Sequence, residues 1–378
     1  MAHAREFRRA LHAKPELSWQ EHNTANAIRE QLDAMHIAWR ECAQTCTLAW
    51  INPTGTEPAI ALRGDIDALP IREETNKPWQ SKTERCMHAC GHDGHTATLL
   101  ATARWLKKHE HQLERKVVLI FQPAEEGGHG AREMIADGAL EGVSEIYGWH
   151  NWPAFPYRTI ACPNAIIMCG NGTFSIKITG KGGHASQPEL CVDPVLAASA
   201  ITVALQQICS HRIAPQKAAV ISVTEIKAGD APTVIPEYAE LKGSIRVPDE
   251  ETRHIINHAI TEIATLTGAS YGVQCTVEHS MRYSATINHA KQANLARRQW
   301  QALYGEKSLV PGTLLPVMAS EDFSYYLREC QGAFALIGSR EGNQNAAPCH
   351  SPHYDFNDNL IEDVCRWFCR LTGMRLPP

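Results

Sequence analysis

The sequence predicts an α/β protein in which a mixed sheet is flanked by helices and a smaller α+β domain is inserted. Through the first half of the chain, apolar segments of strand length alternate with helix-like segments. From about Gly172, apolar and polar residues alternate strictly, and the following elements come in the order β-α-β-β-α-β of a ferredoxin-like domain. We therefore expect a discontinuous main domain of residues 1–171 and 284–378 around an inserted domain of residues 172–283.

Polar residues follow three of the predicted strands in the first half. Because carboxyl ends of neighbouring strands meet in one crevice of an open α/β sheet, we expect these residues to lie together. The strands, each with the residues that follow it, are 58–63 with Asp65 and Asp67, 117–121 with Glu125 and Glu126, and 144–149 with His150.

The other elements have recognisable boundaries. Pro15 separates the first two helices, and Asp193-Pro194 provides an N-cap and a first-turn proline for a helix extending to about residue 209. The remaining helices are predicted over 4–13, 21–35, 96–108, 131–137, 250–266, 288–304, 320–329 and 358–373. The remaining strands are predicted over 45–51, 173–179, 218–226, 238–247, 272–282 and 333–337.

Composition excludes several classes of protein. The chain has 378 residues, of which 44% are hydrophobic and 20% charged, and its net charge is −5, as in ordinary globular enzymes. No basic block indicates a nucleic-acid partner, and no apolar stretch indicates a signal peptide or membrane helix. The 13 cysteines are odd in number and irregularly spaced, which favours free thiols and a cytoplasmic location.

Residues 87–95, MHACGHDGH, concentrate a thiol, three imidazoles and a carboxylate just before a predicted helix. Cys90 and His92 are two residues apart, so both can face one ion, and thiolate and imidazole suit Zn²⁺ and its neighbours. The helix N-terminus is expected to favour the thiolate of Cys90.

These residues predict a hydrolytic metal site. The candidate ligands range from a soft thiolate to a hard carboxylate, so they do not distinguish between Zn²⁺, Mn²⁺ and Co²⁺. Two ions bridged by Cys90 fit the number of ligands. The candidate ligands are Cys90, His92, Glu126, His150 and His350. In an extended backbone Glu125 and Glu126 face opposite ways, so one binds metal and the other acts as base, but spacing does not assign the two roles.

Two other classes of function compete with a metal hydrolase. A cysteine amidase would use Cys90 as nucleophile with His92 or His95 as base, but it leaves the glutamates and two histidines without a role. A non-catalytic scaffold would be expected to lack a ligand or a base, and none is missing. His88, His95 and His129 are expected to support the site rather than bind the ion.

The chain resembles the M20 family of metal-dependent amidohydrolases, in its branch with a cysteine ligand. The resemblance covers nearly the whole chain. The matching motifs are residues 11–17 (LHAKPEL), 63–70 (RGDIDALP), 87–95, 122–127 (QPAEEG), 182–184 (GGH), 320–323 (SEDF) and 350–352 (HSP).

The resemblance implies hydrolysis of the amide bond of N-acyl amino acids, with acetyl the expected acyl group and a dipeptidase or carboxypeptidase as the alternative. It implies a lid for the inserted domain and a homodimer formed through it. Glu125 would be the general base, Asp67 would orient a ligand, His184 would stabilise the oxyanion and Arg246 would bind the substrate carboxylate. The five candidate ligands match the family's ligands of two divalent ions.

Two positions depart from the family pattern on the substrate side. Thr233 stands where the family usually has Asn, and Glu189 follows Pro188 where the family often has His. The added carboxylate of Glu189 leads to the hypothesis of a cationic substrate, such as an N-acetylated diamino acid.

Overall fold

The computed structural model describes residues 1–343 and 345–374, which divide into two compact units. Unit 1 comprises Met1–Ile167, Thr286–Leu315 and the chain from Asp322 onward. Unit 2 comprises Met168–Ala285 with Pro316–Glu321. The inserted domain expected over residues 172–283 falls within unit 2.

Helices and strands occur throughout the described chain. The helices are α1 (Ala2–His12), α2 (His22–Ala34), α3 (His92–Lys108), α4 (Gly130–Ala136), α5 (Pro194–Leu205), α6 (Gln207–His211), α7 (Glu250–Ser270), α8 (Ala290–Tyr304), α9 (Ser324–Glu329) and α10 (Leu360–Leu371). The strands are β1 (Ala38–Cys42), β2 (Cys46–Ile51), β3 (Glu57–Asp65), β4 (Arg115–Gln122), β5 (Val143–Pro156), β6 (Ile160–Ala161), β7 (Ile166–Met168), β8 (Gly170–Thr179), β9 (Gly183–His184), β10 (Val220–Ala228), β11 (Val234–Ile235), β12 (Tyr238–Val247), β13 (Gln274–Met281), β14 (Thr286–Ile287) and β15 (Gln331–Arg340).

Unit 1 is built on a seven-stranded mixed sheet with the order β1-β2-β4-β3-β5-β15-β6. Its central strands β4, β3, β5 and β15 are parallel, and the outer pairs are antiparallel. The central strands are nearly continuous apolar runs because both faces of the sheet are covered. Trp149, Trp300 and Trp367 are fully buried in the core on which helices α3, α8 and α10 pack. The predicted α/β class with a mixed sheet is confirmed.

Unit 2 contains a four-stranded antiparallel sheet with the order β10-β12-β8-β13. Helices α5 and α7 pack on it, and Phe174, Ile176 and Ile178 of β8 all point into their shared core, as the alternation predicts. Asp193 caps α5 by accepting a hydrogen bond from Val195 N at 2.8 Å.

Several predicted boundaries are wrong. Strand β5 does not stop before His150 but continues to Pro156 because it pairs with β15 along its length. Helix α3 begins at His92, four residues early, and the helix predicted to reach residue 209 is divided into α5 and α6. Strand β1 was not predicted because its sequence, AWREC, has neither an apolar run nor a strict alternation of apolar and polar residues.

Among the described residues, none of the helices combines the length and the apolar character needed to cross a bilayer.

Candidate metal centre

The five predicted ligands come from four separate segments of unit 1. Cys90 lies just before α3, and His92 is the first residue of that helix. Glu126 lies in the turn after β4, His150 lies within β5, and His350 lies in the loop before α10. The sheet order places β3, β4 and β5 side by side, so the segments that follow or continue them meet at one edge.

The structure brings the side chains of all five residues together. The Cys90 Sγ lies 3.2 Å from His150 Nε2 and 3.4 Å from His350 Nε2. The same His350 nitrogen lies 3.3 Å from Glu126 Oε1. Ligand atoms of Cys90, His92 and His150 form one group within 4.8 Å, and those of Cys90, Glu126 and His350 form another. Cys90 belongs to both groups.

Hydrogen bonds orient the rings of His150 and His92 so that each can bind a cation in this cluster. His150 donates from Nδ1 to the main-chain oxygen of Asn151 at 2.7 Å, which leaves Nε2 as a lone-pair donor toward Cys90. His92 donates from Nδ1 to Asp67, at 3.0 Å to its main-chain oxygen and 3.2 Å to Oδ1. The buried Nε2 of His92 makes no hydrogen bond within the described chain. An unbonded buried nitrogen is costly unless something else binds it, so the residues fit a metal ion.

The charge around His92 is strongly negative. Burial alone lowers the pKa of this ring, but Asp65, Asp67 and Glu126 raise it to about 10. Burial, reinforced by His95 and His92, holds the pKa of His150 well below its usual range. A cluster of buried carboxylates beside neutral imidazole is suited to holding a divalent cation.

The two adjacent glutamates do not face opposite ways, contrary to expectation. Carboxylate oxygens of both Glu125 and Glu126 lie within 4.8 Å of a ring nitrogen of His92. The backbone is a turn rather than a strand, with φ of +54° at Ala124 and +104° at Gly127. Because left-handed φ is unfavourable for alanine, this turn is locally strained, as functional sites often are.

Glu125 is 6% exposed and is held in place, since its Oε1 accepts a hydrogen bond from Asp322 N at 3.2 Å. Asp67 binds three groups at once: besides His92, it accepts from Ser18 Oγ at 2.8 Å and from Glu126 N at 3.0 Å. Asp67 therefore links the orientation of His92 to the turn that carries both glutamates.

The expectation that a helix N-terminus makes Cys90 a thiolate is wrong for the protein alone. The neighbouring Cys349 thiol, burial, and the charges of Glu126 and Glu125 all raise the pKa of Cys90 well above its usual value. Nucleophilic cysteines need a lowered pKa, so this setting disfavours a cysteine amidase. A buried thiol among imidazoles is suited instead to losing its proton when a metal binds.

Three further residues support the site: Asp65 and His95, which the sequence placed near it, and Asn151, which it did not. Asp65, the last residue of β3, accepts from His95 Nδ1 at 2.5 Å and from Arg63 at 2.5 Å, and it lies 3.6 Å from His92 Nε2. His95 also bonds Asn151 Oδ1 through Nε2 at 2.8 Å. The alternation of Asp65 and Asp67 was visible in the sequence, whereas the role of Asn151 gave no signal there.

The other predicted site residues lie in unit 2. His184 in β9 pairs with Val234 in β11, and Thr233 accepts a hydrogen bond from Ala185 N at 3.0 Å through its main-chain oxygen. Glu189 is exposed in the short turn Pro188–Leu190. His184 and Thr233 therefore lie in neighbouring segments.

Arg246 lies near the far end of β12, where it pairs with Asn171. Its guanidinium is half-buried and forms one long hydrogen bond, 3.4 Å to the main-chain oxygen of Ile245. The structure does not bring Arg246 close to His184 within unit 2.

The family relationship of the chain follows from comparison with known proteins. Residues 61–373 match the family described as Peptidase family M20/M25/M40. The chain belongs to this family. This M20 protein is 34% identical to a hippurate hydrolase of Campylobacter jejuni over 97% of its own length and 94% of the relative's. It is 36% identical to an N-acetylcysteine deacetylase of Bacillus subtilis, covering 97% and 95% of the two chains.

A solved structure extends the M20 relationship to the fold. The crystal structure of the Bacillus subtilis protein YXEP, a dinuclear metal-binding peptidase of family M20, has a TM-score of 0.86 to this chain. The two are 33% identical, and the comparison covers 98% of this chain and 97% of the other. The predicted family is confirmed.

Proposed function

We propose that this M20 protein is a metal-dependent amidohydrolase that cleaves N-acyl amino acids into a carboxylate and a free amino acid. The observation that carries the proposal is the convergence of Cys90, His92, Glu126, His150 and His350 beside Glu125 in one unit. The relatives support the substrate class, because hippurate and N-acetylcysteine are both N-acyl amino acids. We expect acetyl to be the preferred acyl group.

The five residues would hold two divalent cations, with Cys90 common to both groups of ligands. Bound there, such ions acidify water and polarise an amide carbonyl. Zn²⁺, Mn²⁺ and Co²⁺ all suit a set of thiolate, imidazole and carboxylate donors.

The protein's own residues then move the protons. Glu125 accepts a proton from the attacking water and passes it to the nitrogen of the leaving amine, so that carboxylate and amine are the products. The hydrogen bond from Asp322 N fixes the orientation of the Glu125 carboxylate. Asp67 keeps His92 in the tautomer whose Nε2 faces the cluster.

A substrate panel tests this function. Purified protein is assayed for amine release from N-acetyl and N-benzoyl amino acids and from dipeptides. Each substrate is run as purified, after chelation, and after adding back Zn²⁺, Mn²⁺ or Co²⁺. We expect hydrolysis of N-acyl amino acids that chelation abolishes and one of the ions restores. Preference for dipeptides would favour the peptidase alternative, and activity indifferent to chelation would contradict the metal role.

We propose a cytoplasmic location, supported by 13 cysteines that are all free thiols. We also propose a homodimer. The β8–β12 ladder has Arg246 opposite Asn171 near one end and Tyr238 opposite Thr179 at the other, and the separate pair β9–β11, which carries His184, follows that second end. The eight residue steps from Asn171 to Thr179 alone span roughly 26 Å at about 3.3 Å per residue. If His184 stabilises the oxyanion and Arg246 binds the carboxylate of one substrate, two subunits supply them.

Mixing two inactive subunits tests this proposal. Co-expression of His184→Ala and Glu125→Gln chains with different tags gives mixed dimers. Each mixed dimer holds one site with both residues intact if His184 acts on the partner's site. In a statistical mixture about half of the dimers are mixed, and each of these has one intact site of two. We therefore expect about a quarter of wild-type activity to return. No recovery in purified mixed dimers would show that His184 acts within its own subunit or not at all.

The substrate side chain is tested through Glu189. We propose that its carboxylate favours a cationic side chain. Because Glu189 is exposed, we expect Glu189→Gln to lower the preference for N-acetyl-lysine over N-acetyl-methionine by only about two- to five-fold. The ratio of the two kcat/KM values is the measurement, and an unchanged ratio would remove the hypothesis.

A further inference from the structure

Cys349 is a second thiol at the metal cluster, and the mechanism above gives it no role. It immediately precedes His350, and its side chain is partly exposed, whereas Cys90 is only 8% exposed. His350 N donates to the main-chain oxygen of Ala89 at 2.8 Å, so the segments carrying the two cysteines are joined directly by a backbone hydrogen bond.

Side-chain contacts bring the two thiols to the same place. His350 Nε2 lies 3.4 Å from the Cys90 Sγ, and Asn151 Nδ2 lies 3.7 Å from the Cys349 Sγ. The Cys349 thiol lies next to that of Cys90. Because Cys349 and Cys90 flank this backbone hydrogen bond, their Cα atoms are close neighbours, and a disulfide requires a Cα separation of roughly 4.4–6.8 Å.

We propose that Cys90 and Cys349 are a site of reversible oxidation, at which a peroxide converts the two thiols into a disulfide. Cys349, the accessible thiol, attacks one oxygen of hydrogen peroxide, becomes a sulfenic acid and releases one water. The Cys90 thiol then gives its proton to the departing hydroxyl of the sulfenic acid as its sulfur bonds to that of Cys349, so the S–O bond breaks and a second water leaves. In total, one peroxide is reduced to two waters, and two thiols are oxidised to one disulfide.

The oxidation removes Cys90 from the metal ligands, a consequence that rests on the proposed metal role of Cys90. Both groups of ligand atoms lose their shared member, so oxidised protein binds metal poorly. Conversely, a metal held by the Cys90 sulfur protects it from attack on Cys349. A dithiol reductant reverses the reaction by thiol–disulfide exchange.

Other neighbouring cysteines are less suited to this chemistry. Cys42 and Cys46 face each other across the β1–β2 hairpin, and Cys365 and Cys369 lie one turn apart on α10. All four are buried, so peroxide has no exposed thiol to reach first.

The test uses metal-loaded full-length protein treated with hydrogen peroxide, and it compares wild type with Cys349→Ser. The matched control is Cys191→Ser, which removes a partly exposed cysteine from unit 2. Three quantities are measured: peptides joined through Cys90 and Cys349 by mass spectrometry, free thiols, and bound metal. For wild type and Cys191→Ser we expect the joined peptide, loss of metal, and recovery of both after dithiothreitol and added metal. Chelated protein should form the disulfide faster.

Before peroxide treatment, Cys349→Ser should be as active as wild type. After treatment it should show no rapid loss of metal that a reductant reverses. The proposal is overturned if the joined peptide is absent from both metal-loaded and chelated wild type, or if Cys349→Ser loses metal reversibly at the wild-type rate. A joined peptide that forms without any loss of metal would leave the oxidation site standing and contradict the proposed role of Cys90 as ligand.

Discussion

Glu125→Gln is expected to lower kcat by about 10²–10⁴-fold, the usual contribution of a general acid–base, while the protein keeps its metal. Glutamine retains an oxygen that can accept the hydrogen bond from Asp322 N, so the turn after β4 should remain in place. It cannot accept and release a proton at neutral pH. The measurements are kcat, bound metal, and the dependence of kcat/KM on pH, whose acidic limb should disappear.

Glu126→Gln is the matched variant, because the two carboxylates are adjacent and reach the same ring of His92. Glu126 lies against His350 and Cys90, so its loss should reduce metal content first and activity as a consequence. Raising the metal concentration should rescue Glu126→Gln in part and leave Glu125→Gln unchanged. The opposite pattern would exchange the roles of the two glutamates.

The sequence predicts the strands of the central sheet because their apolar runs are nearly uninterrupted, and it predicts that polar residues at their ends converge. Asp67, Glu125 and Glu126 lie together for this reason. His150 joins them although its strand continues beyond it, since pairing with β15 rather than local sequence decides where β5 ends. Local pattern therefore predicted the convergence of these residues despite an incorrect strand boundary.

What the sequence could not predict depends on contacts between distant segments. The hydrogen bond from His150 to the main-chain oxygen of Asn151 and the approach of Cys349 to Cys90 leave no periodicity in the chain. The state of the Cys90 thiol was misjudged for the same reason. A helix N-terminus favours the thiolate by a modest amount, whereas burial beside another thiol and two carboxylates opposes it more strongly.

Replacement of Cys90 should have the second large effect, and the nature of that effect distinguishes a ligand from a nucleophile. Cys90 is shared by both groups of ligand atoms, so Cys90→Ser is expected to release metal. We expect kcat/KM to fall by more than about 10²-fold, which exceeds the usual effect of losing a residue that only orients a ligand. Serine is a weaker donor for zinc-like ions, so a high concentration of Mn²⁺, which prefers oxygen donors, should restore part of the activity.

Asp67→Asn is the control for Cys90→Ser, because it alters the support of His92 without removing a ligand atom. The amide keeps an oxygen for the His92 ring but loses the charge that strengthens that hydrogen bond, so metal affinity should fall by about 10–100-fold and saturating metal should restore kcat. Two measurements distinguish wild type, Cys90→Ser and Asp67→Asn: the metal content by spectroscopy, and the activity across a metal titration. Were Cys90 a nucleophile, Cys90→Ser would retain its metal and remain inactive at every metal concentration. If Cys90 is a ligand, Cys90→Ser instead loses its metal, and its activity rises again as metal is added back.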